Sequence, residues 1–151
     1  MVITRLEGGL GNQMFQYACA RALAARRGDE LCVVISALEN PRSARRYLLD
    51  MFHINPSFIK NMWDIRDYPL LYTVAQLDSR FHPELLSISS PNVVLRGYWE
   101  SERYFYHHRE IIRDDFAFSF ELNDPHSQEL DHHIKAAQSI GVHVRRTDIL
   151  R

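Results

Sequence analysis

The sequence feature that most constrains the fold is a glycine turn between two apolar segments near the start of the chain. A short extended segment at residues 2–6 leads into the Gly-Gly-Leu-Gly turn at residues 8–11. A helix is predicted over residues 13–27, because its apolar residues recur at steps of three and four. Residues 31–35 are a compact apolar run, typical of a strand buried on both faces. This order predicts a βαβ unit, and therefore an α/β fold with a parallel sheet.

Two residues that flank the helix are predicted to fix its ends. Asn12 precedes the helix, and its side chain can accept a hydrogen bond from a free backbone N–H of the first turn. Gly28 follows the helix and suits the left-handed conformation that ends many helices.

The rest of the chain gives weaker signals. Prolines divide residues 39–90 into short pieces, and a buried strand is predicted at residues 93–95. Helices are predicted near residues 102–113 and from Asn123 or Asp124 to about residue 138. Apolar and polar residues then alternate over residues 140–145, at Ile140, Val142 and Val144 against Gly141, His143 and Arg145, which predicts a last strand.

The last predicted strand comes close to the end of the chain. It lacks the helix that a parallel strand needs to cover its face. We therefore expect an N-terminal α/β domain at residues 1–138 and the start of a second domain at residues 139–151. The chain is then expected to be the N-terminal portion of a longer protein.

Composition and charge exclude several classes of protein. The chain has 18 basic and 19 acidic residues and a formal charge of −1, without the basic block typical of nucleic-acid binding. Its two cysteines are too few for a disulfide-stabilised secreted domain. It shows neither a signal peptide nor an apolar run of about 18 residues. These features predict a cytoplasmic protein and leave a peripheral membrane contact open.

The glycine turn has the chemistry of an anion site. Glycines let backbone N–H groups approach a ligand, and the N-terminus of the following helix carries about half a positive charge. A dinucleotide fingerprint would need Gly in place of Met14 and an acid in place of Ser36, and a Gly-Lys-Ser/Thr phosphate loop is absent. NAD is therefore disfavoured, and two interpretations stay open, an anion site and a tight packing turn.

A second motif, His-Val-Arg-Arg-Thr-Asp at residues 143–148, lies at the carboxyl end of the last predicted strand. Open α/β sheets place their ligand sites at such ends. Alternation puts His143 and Arg145 on one face, while Arg146 and Asp148 can pair across a turn. Fixed guanidinium groups stabilise a departing diphosphate, as a divalent metal does elsewhere. The alternative is a surface salt bridge worth about 0–1 kcal/mol.

Three further groups of residues have no functional role that the sequence assigns. Adjacent histidines at residues 107–108 and 132–133 project to different helix faces, so no metal site is predicted. Four aromatic residues that could stack on a sugar are more typical of a core, and they are Tyr98, Trp99, Tyr104 and Phe105. Three carboxylates are open candidates for a catalytic base, and they are Glu7, Glu100 and Glu102.

Three segments together resemble a known enzyme family. They are ITRLEGGLGNQMFQYA at residues 3–18, RGYWESERYF at residues 96–105 and HVRRTD at residues 143–148. The set resembles the α-1,2-fucosyltransferases of glycosyltransferase family 11. Its last segment is similar to the His-x-Arg-Arg-x-Asp motif shared by α-1,2-, α-1,6- and protein O-fucosyltransferases.

The resemblance implies the Rossmann-like, acceptor-side N-terminal half of a two-domain GT-B glycosyltransferase, with the first strand of the donor-binding second domain. The implied reaction moves L-fucose from GDP-fucose to the 2-hydroxyl of a terminal galactose on a glycan. It proceeds with inversion and without a required metal or other cofactor. Most of the guanine pocket is then expected beyond residue 151, so residues 1–151 alone are expected not to catalyse transfer.

The resemblance also assigns residues to the GDP-fucose donor. Arg145 matches the arginine expected to grip the β-phosphate and is the predicted catalytic residue, with Arg146 and Asp148 in support. Asn12 matches the asparagine of the family's glycine turn, which lies near the donor. The predicted donor-binding residues are Gly11, Asn12, His143, Arg145, Arg146 and Asp148.

Two residues depart from the family's pattern. Thr147 stands where bacterial members usually have Gly, and Ile149 where they have an aromatic residue. Thr at this position also occurs in α-1,6-type enzymes, so that linkage stays open, although the first two segments favour α-1,2. The second alternative is a shortened, non-catalytic remnant that only binds a glycan or a partner.

Overall fold

The computed structural model describes residues 1–42, 44–66, 68–121, 123–142 and 144. The chain divides into two compact units, Met1–Ser119 and a second unit that begins at Phe120. The predicted domain boundary at residue 138 remains a prediction.

The first unit is built on a parallel sheet of five strands in the order β3-β2-β1-β5-β4. The strands are Val2–Arg5 (β1), Leu31–Val34 (β2), Ser57–Ile59 (β3), Leu71–Ala75 (β4) and Asn92–Arg96 (β5). The predicted α/β class and βαβ unit are confirmed, as are the three strands predicted for this part of the chain. Because β1 lies at the centre, the turn that follows it reaches the middle of the sheet's carboxyl edge.

Helix α1 (Leu10–Arg27) ends as predicted but starts earlier. Gly28 is left-handed (φ 67°, ψ 28°), and its N–H donates to the carbonyl of Ala25 at 3.3 Å. At the other end the N-cap is Gly9, whose backbone is extended, so the predicted Asn12 cap is wrong. Asn12 lies inside the first turn, because the helix begins as soon as the glycine turn ends.

Between β2 and β5 the chain forms the short pieces that its prolines predict. Besides β3 and β4, its described residues form 3-10 turns at Leu49–Met51, Met62–Ile65 and Pro83–Ser87. Both β3 and β4 are edge strands, and most of their residues are exposed.

The helix predicted near residues 102–113 is observed only in its second half. The segment forms 3-10 turns at Glu102–Tyr104 and Tyr106–His108 and then helix α2 at Arg109–Asp115. The Tyr104 ring packs edge-on against Trp99, with 5.6 Å between centroids, and its hydroxyl accepts from the His82 N–H at 2.8 Å. These long-range contacts hold the segment in short turns, which local propensity does not predict.

The core lies on both faces of the three central strands. Alternate residues of β1, β2 and β5 face α1, and the residues between them face the opposite layer, which the turn Met62–Ile65 covers. Cys19 of α1 lies in the first layer and Cys32 of β2 in the second, and both are free and buried. Burial raises the pKa of both thiols.

The second unit contains helix α3 (Pro125–Ala136). The Asp124 carboxylate caps it by accepting from the Ser127 N–H at 2.8 Å, which confirms the predicted start. None of the described helices is long and apolar enough to cross a membrane.

The strand predicted over residues 140–145, as the first strand of a second domain, is not observed in the described part of that segment, and His143 and Arg145 lie outside the described residues. The described residues of this segment lie in no strand, and the side chains of Ile140, Val142 and Val144 are exposed. A strand needs a neighbour to take up its backbone hydrogen bonds, and within the described ranges no strand pairs with this segment. The predicted start of a second domain at residue 139 remains a prediction.

Candidate active site

The turn after β1 has a constrained backbone at Gly8. Gly8 has φ +81°, and a Cβ added to it would lie 2.5 Å from Nδ2 of Asn12. This position therefore requires glycine on both conformational and steric grounds. At Gly11, by contrast, an added Cβ would meet nothing within 4 Å in the described part of the chain, its own helix backbone and chain neighbours apart.

Two buried glutamines of α1 hold this turn in place. Gln13 donates its Nε2 to the carbonyls of Gly8 (3.0 Å) and Arg46 (2.9 Å), and its Oε1 accepts from the Leu48 N–H at 3.1 Å. Gln16 accepts from the Glu7 N–H at 2.9 Å. Both glutamines are 0% exposed. Their clamping role was not predicted, and its one sequence signal is a pair of amides three residues apart on the inner face of a helix.

A first cleft, which we call the corner cleft, lies on one side of this turn. Its volume is about 650 Å³, and it is lined by residues 8–10, 38–41, 44–46 and Leu48. Nη1 of Arg45 lies 3.8 Å from where a Cβ on Gly9 would stand. The first turn of α1 has no acidic residue, and no described side chain caps it. Unpaired helix N–H groups beside a guanidinium group favour the binding of an anion.

A second cleft, the mixed-charge cleft, lies at the carboxyl ends of β1, β4 and β5. Its volume is about 520 Å³, and it is lined by Arg5, Glu7, Glu100 and residues 75–79 and 96–98. It presents carboxylates from Glu7, Asp78 and Glu100 and guanidinium groups from Arg5 and Arg96. This lining suits a neutral ligand with many hydroxyl groups better than it suits an anion.

One wall of the mixed-charge cleft is fixed by a third glutamine. Oε1 of Gln76 accepts from the N–H groups of Tyr98 (2.9 Å) and Trp99 (3.0 Å). Trp99 is left-handed, with φ +55°, and its side chain is buried. A left-handed bulky residue is held only by its surroundings. The buried Trp99 and the Gln76 clamp thus leave Tyr98, 41% exposed, at the cleft.

A chain of charged groups fixes Asp78, one of the residues that line the mixed-charge cleft. The His82 imidazole bonds Asp78 through Nε2 (2.9 Å) and Glu84 through Nδ1 (3.0 Å). The two carboxylates, Asp78 first, raise the pKa of His82. The Arg80 N–H and then the His82 imidazole lower the pKa of Asp78. At neutral pH the Asp78 carboxylate is therefore ionised and held in a fixed position.

The structure places some of the predicted residues and leaves others outside its range. Gly11 and Asn12 lie in the first turn of α1, directly after Leu10, but neither lines the corner cleft. Gly11 instead lines a small apolar cleft beside Met14 and Phe15. The remaining predicted donor residues lie outside the described residues, and they are His143, Arg145, Arg146 and Asp148.

The carboxylates and aromatic residues left open by the sequence lie in different places in the structure. Glu7 and Glu100 line the mixed-charge cleft, whereas Glu102 begins the turn Glu102–Tyr104. Trp99 and Tyr104 are buried and belong to the core, Phe105 packs against that core, and Tyr98 is exposed at the cleft. Among the described residues, no group of three His, Cys, Asp or Glu side chains is placed to hold a metal.

A comparison with family models settles the relationship of the chain. The model of glycosyl transferase family 11 matches residues 1–151. The chain belongs to glycosyl transferase family 11. It is also 30% identical over 162 residues to an alpha-1,2-colitosyltransferase of Escherichia coli, and the match covers 98% of the chain. The chain spans 55% of that relative's length. No solved structure gives a significant match.

Proposed function

We propose that this family 11 protein transfers L-fucose from GDP-fucose to the 2-hydroxyl of a terminal galactose, with inversion and without a metal. The observation that supports it best is the corner cleft, where the uncapped N-terminus of α1 and Arg45 form a place for a diphosphate. Family membership, and a relative named for α-1,2 transfer of a sugar, support the type of reaction.

In this proposal the donor lies between two halves of a GT-B fold. The corner cleft contributes backbone N–H groups and a guanidinium group from the first half. Arg145 grips the β-phosphate from the second half, with Arg146 and Asp148 in support and His143 beside them. Each of these hydrogen-bond donors stabilises the negative charge that develops on the leaving diphosphate. Loss of one such hydrogen-bond donor typically lowers the rate about 100- to 1000-fold.

The transfer step needs a group that accepts a proton. The acceptor oxygen forms a bond to the anomeric carbon, the bond from that carbon to the β-phosphate oxygen breaks, and GDP leaves with the electron pair. The hydroxyl proton passes to a carboxylate. We propose Glu7 for this role, because it lines the mixed-charge cleft and precedes Gly8 of the corner cleft directly in the chain.

The donor assignment is tested by titrating the ¹⁵N-labelled protein with GDP and following backbone amides by NMR. We expect saturable shifts at residues 8–12, and weaker ones with guanosine, which lacks the diphosphate. Arg45→Ala should weaken GDP binding about fivefold, or ~1 kcal/mol. Arg145→Ala should weaken it at least as much. Arg42→Ala, a change to an exposed arginine of the same segment, is the matched control.

The outcomes separate the proposal from its alternatives. Equal affinities for GDP in the wild type and in both the Arg45 and Arg145 variants would contradict the donor site. A protein that binds glycans but shows no GDP-dependent shift would be a binding remnant rather than a transferase.

A second donor deserves the same assay, because the relative from Escherichia coli is named as a colitosyltransferase. Colitose is the 3-deoxy counterpart of fucose, so the two GDP-sugars differ by one hydroxyl group. Turnover of each donor with a galactoside, measured on the protein that contains this chain, decides between them. The linkage in the product distinguishes α-1,2 from α-1,6 transfer.

A further inference from the structure

We propose that the mixed-charge cleft is the binding site for the sugar acceptor, a neutral pyranose that stacks on Tyr98 and donates hydroxyl hydrogen bonds to Asp78 and Glu100. This inference rests on the proposed function, which requires an acceptor, and adds where that acceptor binds and which side chains recognise it.

The lining has the groups that recognise a neutral sugar. Hydroxyl groups both donate and accept, so they can bond carboxylates and guanidinium groups in the same cleft. Tyr98 offers an exposed aromatic ring, which can cover the C–H face of a pyranose. The three carboxylates outnumber the two arginines, so an acidic sugar meets net repulsion. A volume of about 520 Å³ falls within the usual range for small-molecule sites, about 300–1,000 Å³.

An ion pair between two of the lining residues also orders this cleft. Nη2 of Arg5 lies 3.3 Å from the Glu7 carboxylate, and the two side chains are 33% and 34% exposed. Both groups therefore keep part of their hydrogen-bonding surface open to a ligand.

The recognising groups are held in position before any ligand arrives. The Gln76 amide fixes the backbone of Tyr98, and His82 and Arg80 fix the Asp78 carboxylate. Fixed groups bind more tightly, because less side-chain entropy is lost on binding. The Asp78–His82–Glu84 chain thus positions the Asp78 carboxylate at the cleft.

The location of the cleft also suits transfer. Glu7 lines the mixed-charge cleft and Gly8 lines the corner cleft, and their Cα atoms are about 3.8 Å apart as neighbours in the chain. An acceptor in one cleft and a diphosphate in the other therefore share one narrow loop as their boundary. Inverting transfer needs this arrangement, because the hydroxyl must reach the anomeric carbon of the donor.

The test is a titration of the ¹⁵N-labelled protein with methyl β-galactoside, and with glucuronate as the acidic comparison. We expect galactoside shifts at residues 76–79 and 96–100 and none with glucuronate. Tyr98→Ala and Asp78→Asn should each weaken galactoside binding about five- to tenfold. Tyr98→Phe keeps the ring and should retain affinity. Tyr106→Ala and Asp114→Asn are the exposed controls.

Failure of this inference can be told apart from failure of the proposed function. Shifts at residues 8–12 with GDP, but none in the mixed-charge cleft with galactoside, would overturn the acceptor site and leave the transferase proposal standing. Galactoside binding without any GDP effect would support the cleft as a sugar site and contradict the donor assignment. A variant spectrum that loses dispersion indicates unfolding, and Tyr98→Phe then decides, since its loss of galactoside binding would contradict ring stacking.

Discussion

The two clefts share a loop, yet they recognise ligands by different means. The corner cleft offers backbone N–H groups and a guanidinium group, whereas the mixed-charge cleft offers carboxylates and an exposed aromatic ring. In both, a glutamine amide fixes the backbone, Gln13 on one side and Gln76 on the other. The difference shows that one edge of a parallel sheet can accept an anion and a neutral ligand side by side, because only one wall uses a helix N-terminus.

The largest effect is expected where both the loop and the fold depend on one side chain. Gln13→Ala removes three hydrogen bonds from a fully buried site and leaves the carbonyls of Gly8 and Arg46 unpaired. We expect a loss of about 2–4 kcal/mol in the free energy of unfolding, measured by urea denaturation. Gln138→Ala, at an exposed glutamine, should change it by less than about 0.5 kcal/mol.

Gln13 variants also test whether the two clefts are separable. In a Gln13→Ala protein that remains folded, GDP shifts at the corner should weaken more than galactoside shifts in the mixed-charge cleft, since Gln76 still holds the other wall. Equal losses in both titrations would show that the shared loop, and not the separate clamps, shapes the two clefts.

A smaller effect is expected from backbone conformation at the corner. Gly8→Ala places a methyl group at φ +81° and 2.5 Å from Asn12, and should cost about 2 kcal/mol or more. Gly28→Ala has a similar backbone angle, φ +67°, but nothing in the described chain lies within 4 Å, so it should cost about 1 kcal/mol. Thermal melts give the loss of stability in each variant, and the difference between the two losses measures the cost of the steric clash at Gly8. A Gly28 variant as unstable as the Gly8 variant would contradict the steric account.

The smallest effect concerns the ionised groups of the mixed-charge cleft. Because the pKa of His82 is raised, its pairing stabilises the fold fully below the ordinary histidine pKa of about 6.5 and is lost as pH rises through the raised value. Because the pKa of Asp78 is lowered, the stabilisation that its carboxylate contributes to the fold is present above about pH 4. That stabilisation is lost as pH falls through the lowered pKa.

The stabilising window therefore lies between about pH 4 and 6.5. The difference in Tm between the wild type and His82→Asn should be largest near pH 5.5 and should shrink by pH 9. It should be small, since all three side chains are on the surface. A difference that grows toward pH 9 would contradict the charged pairing.

Features that depend on residues close together in the chain could be predicted from the sequence, and features that depend on distant residues could not. The strands at the centre of the sheet, the Gly28 stop and the Asp124 cap depend on neighbouring residues, and the structure confirms them. The glutamine clamps depend on partners far along the chain, for example Leu48 for Gln13, so local pattern does not reveal them. The glycine turn itself was visible as a candidate anion site.

Two further differences have the same cause. The mixed-charge cleft brings together residues from three strand ends, and its existence depends on β4 lying beyond β5 in the sheet, which no local signal specifies. The left-handed Trp99 is held by tertiary packing and by Gln76, against its own preference. The donor residues predicted from Arg145 to Asp148 remain predictions.

The two free thiols, one in each layer of the core, have a practical consequence. Since Cys19 lies in the layer between α1 and the sheet, and Cys32 in the layer covered by the turn Met62–Ile65, a maleimide can modify each only while its own layer is open. The alkylation rate at each cysteine therefore reports how often its own layer of the core opens. Slow labelling of both cysteines would show that both faces of the sheet stay covered. Fast labelling of one cysteine alone would show that its layer of the core opens more readily than the other.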